Sequence, residues 1–278
     1  MSKNPAKDFG PIADDYAFFE THATEAANDS EAYVERLAGI VPAAGPIRIM
    51  DFGCGSGTFT ARFLDRAGWP RARLRLTLVE PVEAARRQAV ARTAGYSDHP
   101  AVDSATLPGG RPSSFEVILA NHSLYYVSGI LSQLARLIDA LAPAGAFMTA
   151  VASRTNALIE FWIAGFGLIG REIPYNTSED VEAGLQQSGA VYEKQQVPYA
   201  LTFPDTEENR MRIIRFLLAE HLVEIPQRPL LDLFDRYSLS GQIKIETASD
   251  HFTIRSRRPE EPHGPLTQQT FGPAKSQE

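Results

Sequence analysis

The segment Asp51-Phe52-Gly53-Cys54-Gly55-Ser56-Gly57 follows the apolar run that starts at Ile47 and leads into a helical pattern from Thr58. A buried strand thus delivers a glycine-rich turn directly into a helix, where glycines take positive φ freely and let a ligand approach the backbone. The spacing is Gly-x-Gly-x-Gly, and Thr58 stands where the dinucleotide fingerprint Gly-x-Gly-x-x-Gly needs its third glycine. No Gly-Lys-Ser/Thr follows either, so the turn is not a nucleotide-triphosphate loop. Asp51, just before the glycines, repels a pyrophosphate and suits the cationic amino group of an amino-acid ligand. Glu80, followed by Pro81, sits at the tip of the next apolar run, where a carboxylate can accept both hydroxyls of a ribose. Asp103, with Ser104 behind it, offers an acceptor for an exocyclic amine. Asn121 and His122 close the run Phe115–Ala120.

Other candidates carry two readings each. His122 is a general base for an oxygen or nitrogen nucleophile, since imidazole titrates near neutrality, or part of a pocket wall. Tyr125 and Tyr126 divide between core and rim, with one ring face turned to a cation. Phe19 belongs to a lid or to a helical core, and Cys54 is expected to be passive packing. Read by composition alone, Glu25 is a solvated charge on a polar helix.

Elements must bring these residues together. Residues 14–41 show helical spacing at Tyr33, Val34, Leu37 and Ile40, ended by the stretch from Pro42 to Pro46. Strands are expected at Ile47–Phe52, Leu74–Val79, near Ala101-Val102, at Phe115–Ala120 and at Ala146–Val151, with helices at Thr58–Ala67, from Pro81 to Ala94, and from about Gly129 to Leu141. Strand–helix alternation at this spacing predicts parallel βαβ units covered on both faces, with ligands at the carboxyl ends of the strands. Further on come a helix at Glu179–Ser188, a strand at Val191–Phe203, two helices within 206–238 and a strand at Ile243–Ile254. The helical pair interrupts a strand pair, as an insertion that either roofs a pocket or simply pads the sheet. A loose leader over 1–13 and a disordered tail over 256–278 bound one expected domain of residues 14–255.

The 278 residues are 44% hydrophobic and 22% charged, a globular balance, with a net charge of −7. Neither a basic footprint for nucleic acid nor an apolar run of membrane length is present. The single cysteine rules out a disulfide framework or thiolate cage within the chain. A cytoplasmic protein with no metal is the default expectation. The acidic charge, with Asn121-His122-Ser123-Leu124 in place of the Asn/Asp-Pro-Pro-aromatic signature of enzymes that act on nucleic-acid bases, favours a small-molecule partner; oligomeric state stays open.

Taken together, Asp-Phe-Gly-Cys-Gly-Ser-Gly, Leu-Val-Glu-Pro, Asp-Ser-Ala-Thr-Leu-Pro, Ser-Phe-Glu-Val-Ile-Leu-Ala-Asn-His and Leu-Ala-Pro-Ala-Gly-Ala-Phe resemble, in order and spacing, the class I S-adenosylmethionine-dependent methyltransferases. The resemblance spans residues 47–151. It implies an α/β fold with a Rossmann-like seven-stranded sheet, helices on both faces and an antiparallel last strand, together with a helical N-terminal segment and a helical insertion before that strand. It implies S-adenosyl-L-methionine as cofactor, held by Asp51, Gly53, Cys54, Gly55, Gly57, Glu80, Pro81, Asp103, Ser104 and Asn121. A narrower stretch, Phe19-Glu-Thr-His22-Ala-Thr-Glu25 with Leu124-Tyr125-Tyr126-Val127, is similar to the histamine N-methyltransferase group. That likeness implies substrate contacts at Phe19, His22, Glu25, His122, Tyr125 and Tyr126, with Glu25 holding an amine. The implied activity is methyl transfer to nitrogen, oxygen or carbon. Its rivals are a non-catalytic binder of the same cofactor and a nicotinamide-dependent oxidoreductase, the latter opposed by Asp51 and the loop spacing.

Overall fold

The apolar runs pair into one sheet. The structure, a computed structural model, describes residues 9–109 and 114–256, so most of the expected leader and all but the first residue of the expected tail lie outside the described residues. The strands are β1 (Ile47–Phe52), β2 (Leu74–Val79), β3 (Val102–Ser104), β4 (Phe115–Asn121), β5 (Leu141–Val151), β6 (Val191–Pro204), β7 (Ser238–Leu239) and β8 (Gln242–Arg255). Seven of them lie in the order β3-β2-β1-β4-β5-β8-β6, and the two-residue β7 adds an eighth by pairing with β8. β1 to β5 pair in parallel. The last strand, β8, runs antiparallel to β5 on one side and to β6 on the other, as expected.

Adjacent strand residues point to opposite faces, so each strand feeds two cores. The helices are α1 (Ala13–His22), α2 (Glu25–Leu37), α3 (Thr58–Ala67), α4 (Glu83–Thr93), α5 (Ile130–Asp139), α6 (Ala157–Leu168), α7 (Ser178–Gln187), α8 (Glu207–Leu218) and α9 (Gln227–Asp232). On one face Tyr33 and Leu37 of α2 and Phe63 and Leu64 of α3 pack with Ile47, Ile49 and Leu119. On the other, side chains of α5 to α9 pack with Met50, Ile118, Phe147 and Phe252. Each large apolar side chain removed from water contributes about 1.5–3 kcal/mol, which suffices to seat the helices without staples.

The structure departs from expectation in four places. The helical pattern of 14–41 is two helices, because Ala23 bridges to Leu201 and the Thr24 N–H donates to the Ala200 carbonyl at 2.9 Å. β5 begins at Leu141, five residues early, through an irregularity opposite Phe115–Val117. Gly145 is required there, since a Cβ would stand 2.7 Å from the Phe115 carbonyl oxygen. The insertion helix α8 stops at Leu218 and continues as a 3-10 segment, Ala219–Glu224. Finally, α6 has no counterpart in the sequence reading. It is apolar on every side except Glu160, and even its exposed residues include Ile163 and Leu168, so it shows no amphipathic period.

The N-terminal helices and the 206–238 insertion meet each other. The Asp15 carboxylate accepts from Arg215 Nε at 2.9 Å and Nη2 at 3.0 Å. Phe19 stacks on Phe216 with ring centroids 4.6 Å apart, and the Arg212 guanidinium lies 4.5 Å from the centroid of Phe18. None of the helices among the described residues is long and apolar enough to cross a membrane. Asp15→Asn is expected to cost about 1–2 kcal/mol, because a partly buried ion pair is broken while the arginines stay. Hydrogen exchange should then quicken in α1 and α8 while the sheet is unchanged.

Candidate functional site

The glycine turn after β1 is built by backbone constraint. Gly53, Gly55 and Gly57 all have positive φ, at 74°, 53° and 77°. A Cβ on Gly53 would lie 2.4 Å from Ser123 Cβ, and one on Gly57 would lie 2.8 Å from the Ala89 Cα. Those two glycines therefore permit close packing, whereas a Cβ on Gly55 would meet nothing within 4 Å. The Gly53 and Cys54 N–H groups donate to the Val79 carbonyl, the Gly57 N–H to that of Cys54, and the Gly55 N–H to Glu80 Oε2 at 3.1 Å. With these donors spent internally, the turn is a poor cradle for a pyrophosphate and an open rim at Gly55 for a ligand of other charge.

Two carboxylates face this turn. Asp51 is buried and accepts from the Thr60 hydroxyl at 2.5 Å. Burial raises its carboxyl to about 7, against the Thr60 bond and with help from nearby Glu80. A cation beside Asp51 would restore its charge. Glu80 ends β2, with Oε1 accepting from the Val82 N–H at 2.8 Å. Each Glu80 oxygen keeps a further lone pair for a hydroxyl. Cys54 is buried, and burial, then Asp51 and Glu80, push its thiol up, which suits passive packing.

The next two candidates are engaged elsewhere. The Asp103 carboxylate accepts from Arg86 Nε at 2.9 Å, and its side chain is about half exposed. The Ser104 hydroxyl donates to the Thr106 carbonyl at 2.6 Å, and Pro81 is exposed.

The end of β4 carries a denser arrangement, and α2 supplies half of it. Asn121 Oδ1 accepts from the Tyr33 hydroxyl at 2.9 Å, and its Nδ2 donates to Asp29 Oδ2 at 3.2 Å. His122 has a left-handed backbone, φ 50°. Its Nε2 lies 3.0 Å from Asp29 Oδ2 and 3.5 Å from Glu25 Oε1, and its Nδ1 lies 3.0 Å from the Tyr125 hydroxyl. From β8, His251 Nε2 reaches Asp29 Oδ1 at 2.8 Å. No arginine or lysine pairs with Glu25, Asp29 or His122 among the described residues.

Electrostatics follow from this packing. Burial alone would lower the His122 imidazolium, but the Glu25 charge and the Asp29 hydrogen bond raise it to about 9. Burial would raise Asp29, yet hydrogen bonds from His122 and His251 bring it to about 2. Glu25 goes the other way. Burial lifts it to about 7, with His122 opposing and Asp29 adding. At neutral pH His122 is an ion-paired cation.

Of the residues expected at the substrate, Glu25, His122 and Tyr125 meet in this cluster. Tyr126 lies against Tyr125, Tyr175 and Phe9 in an aromatic wall. Phe19 is spent on Phe216, and His22 turns back on Phe18, its Nδ1 2.8 Å from the Phe18 carbonyl. Asp29, His251 and Tyr33 were not singled out from sequence. The one available signal was that Asp29 follows Glu25 by four residues, which puts both carboxylates on one helical face.

Comparisons with known proteins agree on the family of this fold. Residues 21–195 match a family described as a methyltransferase domain. A trans-aconitate 2-methyltransferase of Rhodopseudomonas palustris is 32% identical over 133 residues, which cover 48% of this chain and 46% of that protein. One from Streptomyces avermitilis is 36% identical over 103 residues, 36% of this chain and 37% of its own length. The chain thus spans less than half the length of these curated relatives. Among solved structures, the YcgJ protein of Bacillus subtilis superposes with a TM-score of 0.53 at 12% identity, covering 82% of this chain and 100% of its own. The plantazolicin methyltransferase BpumL, solved with S-adenosylhomocysteine, gives 0.52 at 12% identity over 89% and 91%. Gly57→Ala is expected to lower stability by about 1–3 kcal/mol, since strain and a backbone clash add. Gly55→Ala should cost about 1 kcal/mol, and calorimetric melting of the pair checks the difference.

Proposed function

The chain belongs to the methyltransferase-domain family, and on that premise we propose that it transfers a methyl group from S-adenosylmethionine to a small-molecule amine. S-adenosylmethionine supplies an activated methyl on a sulfonium, so the protein's task is to hold and orient the two reactants. In this reading Asp51 takes the amino group of the cofactor, with Gly53, Cys54, Gly55 and Gly57 forming the rim. Glu80, backed by Pro81, takes the ribose. Asp103, Ser104 and Asn121 bound the adenine side, Asp103 doing so only if Arg86 shares it.

The observation that carries the acceptor class is the charge at the end of β4. Two carboxylates, Glu25 and Asp29, stand there against His122 and His251, with no arginine or lysine paired to them among the described residues. A tricarboxylate such as trans-aconitate would be repelled by a charged Glu25 and would meet no guanidinium paired to this cluster among the described residues. An amine would be attracted, and the aromatic rings of Tyr125 and Tyr126 favour a cation as well. This reading keeps what the narrower likeness to the histamine N-methyltransferase group supplied, namely Glu25 as the carboxylate that meets the amine. It leaves Phe19 and His22 behind the acceptor as cap packing.

Calorimetric titration should show micromolar binding of S-adenosylmethionine and S-adenosylhomocysteine and none of NAD. Glu80→Ala should weaken that binding by about 10–100-fold, the loss of one or two charge-assisted hydrogen bonds, without unfolding the protein. A screen for S-adenosylhomocysteine release should then find turnover with primary or secondary amines and none with trans-aconitate. Turnover of aconitate would remove the amine reading, and no binding of either sulfur compound would remove the cofactor.

A further inference from the structure

The hydrogen bonds around His122 decide which group can take a proton. Its Nε2 sits between two carboxylate oxygens, Asp29 Oδ2 at 3.0 Å and Glu25 Oε1 at 3.5 Å. A ring nitrogen so placed carries its hydrogen and offers no lone pair. Its Nδ1 faces the Tyr125 hydroxyl, whose oxygen also accepts from the Ala152 N–H at 2.6 Å. Neither nitrogen is left for an incoming acceptor. Asp29 is equally committed, with Oδ1 on His251 and Oδ2 on both His122 and Asn121. Glu25 is the member of the group whose carboxylate is met by hydroxyls, those of Tyr199 and Ser249, and not by a second imidazole, so its oxygens keep lone pairs for a proton. Its contact with His122 is long, and its side chain keeps 12% exposure where that of Asp29 keeps 1%.

We infer that Asp29 is a positioning residue that fixes His122 as a hydrogen-bond donor, and that Glu25 is the proton acceptor for the incoming amine. The second part rests on the amine reading above. In the step, an N–H bond of the acceptor ammonium breaks and its proton moves to a Glu25 oxygen. The electron pair stays on nitrogen, and the carboxylate becomes a neutral acid. The amine then presents a free lone pair, which a protonated nitrogen lacks.

The surroundings of Glu25 support a proton acceptor that works near neutrality. It faces His122 from the end of β4, Asp29 on its own helix, the hydroxyl of Tyr199 from β6 and that of Ser249 from β8. Tyr16 of α1, Tyr33 of α2 and Tyr125 also feel its charge, and burial holds all four tyrosines well above their ordinary range, hence neutral. Glu25 itself titrates at about 7, so its base form grows as pH rises through that value.

The test uses the full chain and an amine found in the screen. Wild-type turnover should climb with pH through about 7. Glu25→Gln should abolish that limb and lower kcat by about 10²–10³-fold, with S-adenosylmethionine affinity unchanged within twofold; Glu25→Asp should restore the limb. Persistence of the limb in Glu25→Gln would overturn the assignment. Independently of turnover, NMR of the His122 ring should show its titration falling by at least one pH unit in Asp29→Asn, and an unmoved midpoint would overturn the positioning role. If no amine is methylated, the substrate reading and the base assignment fall together, while the ring titration still decides Asp29. Should Asp29→Asn not fold, Glu25→Gln alone decides.

Discussion

A carboxylate taken out of water must find donors or surrender its charge, and Asp29 finds three. It is 1% exposed and receives Asn121 and His122 from the end of β4 and His251 from β8. These partners are 92 or more residues away in the chain, so satisfying one buried charge forces α2 onto the carboxyl edge of the sheet. The same docking carries Glu25, one helical turn earlier, to His122 and carries Tyr33 to Asn121. Placement of α2, orientation of the β4 end and the charge gathered there are consequences of that single requirement.

The glycine turn obeys a different constraint, one of backbone. Gly53 lets β1's turn touch Ser123, whose hydroxyl donates to the Phe52 carbonyl at 2.7 Å, and Gly57 lets α3 start against α4. The two halves of the site are thereby joined at Ser123, next to His122. A shift of the glycine turn cannot leave the β4 end where it was.

This difference explains what could be read from residues alone. Backbone constraints write themselves locally: the glycine spacing, the acid before it and Glu80 at a strand tip were legible because each is a short-range pattern. So was the sheet, apart from the early start of β5, since alternation and strand length are local too. Asp29 and His251 were not legible. In Glu-Ala-Ala-Asn-Asp-Ser-Glu-Ala-Tyr an aspartate looks solvated, and only its distant partners show otherwise. The charge state of His122 was hidden for the same reason, because it is set by α2 and not by its own neighbours. The helix α6 was hidden by uniformity: Trp162, Phe161 and Phe166 are all buried, so no period marks it.

The cap has a consequence for diversification. It is assembled from two stretches far apart in sequence, α1 and α8, that recognise each other through Asp15 with Arg215 and through Phe19 with Phe216. The contact between these stretches is inherited as a matched pair. Recombination that swaps one stretch for a relative's strands an aspartate or an arginine without its counterpart. Variation in either stretch is therefore tolerated most readily when both are exchanged together.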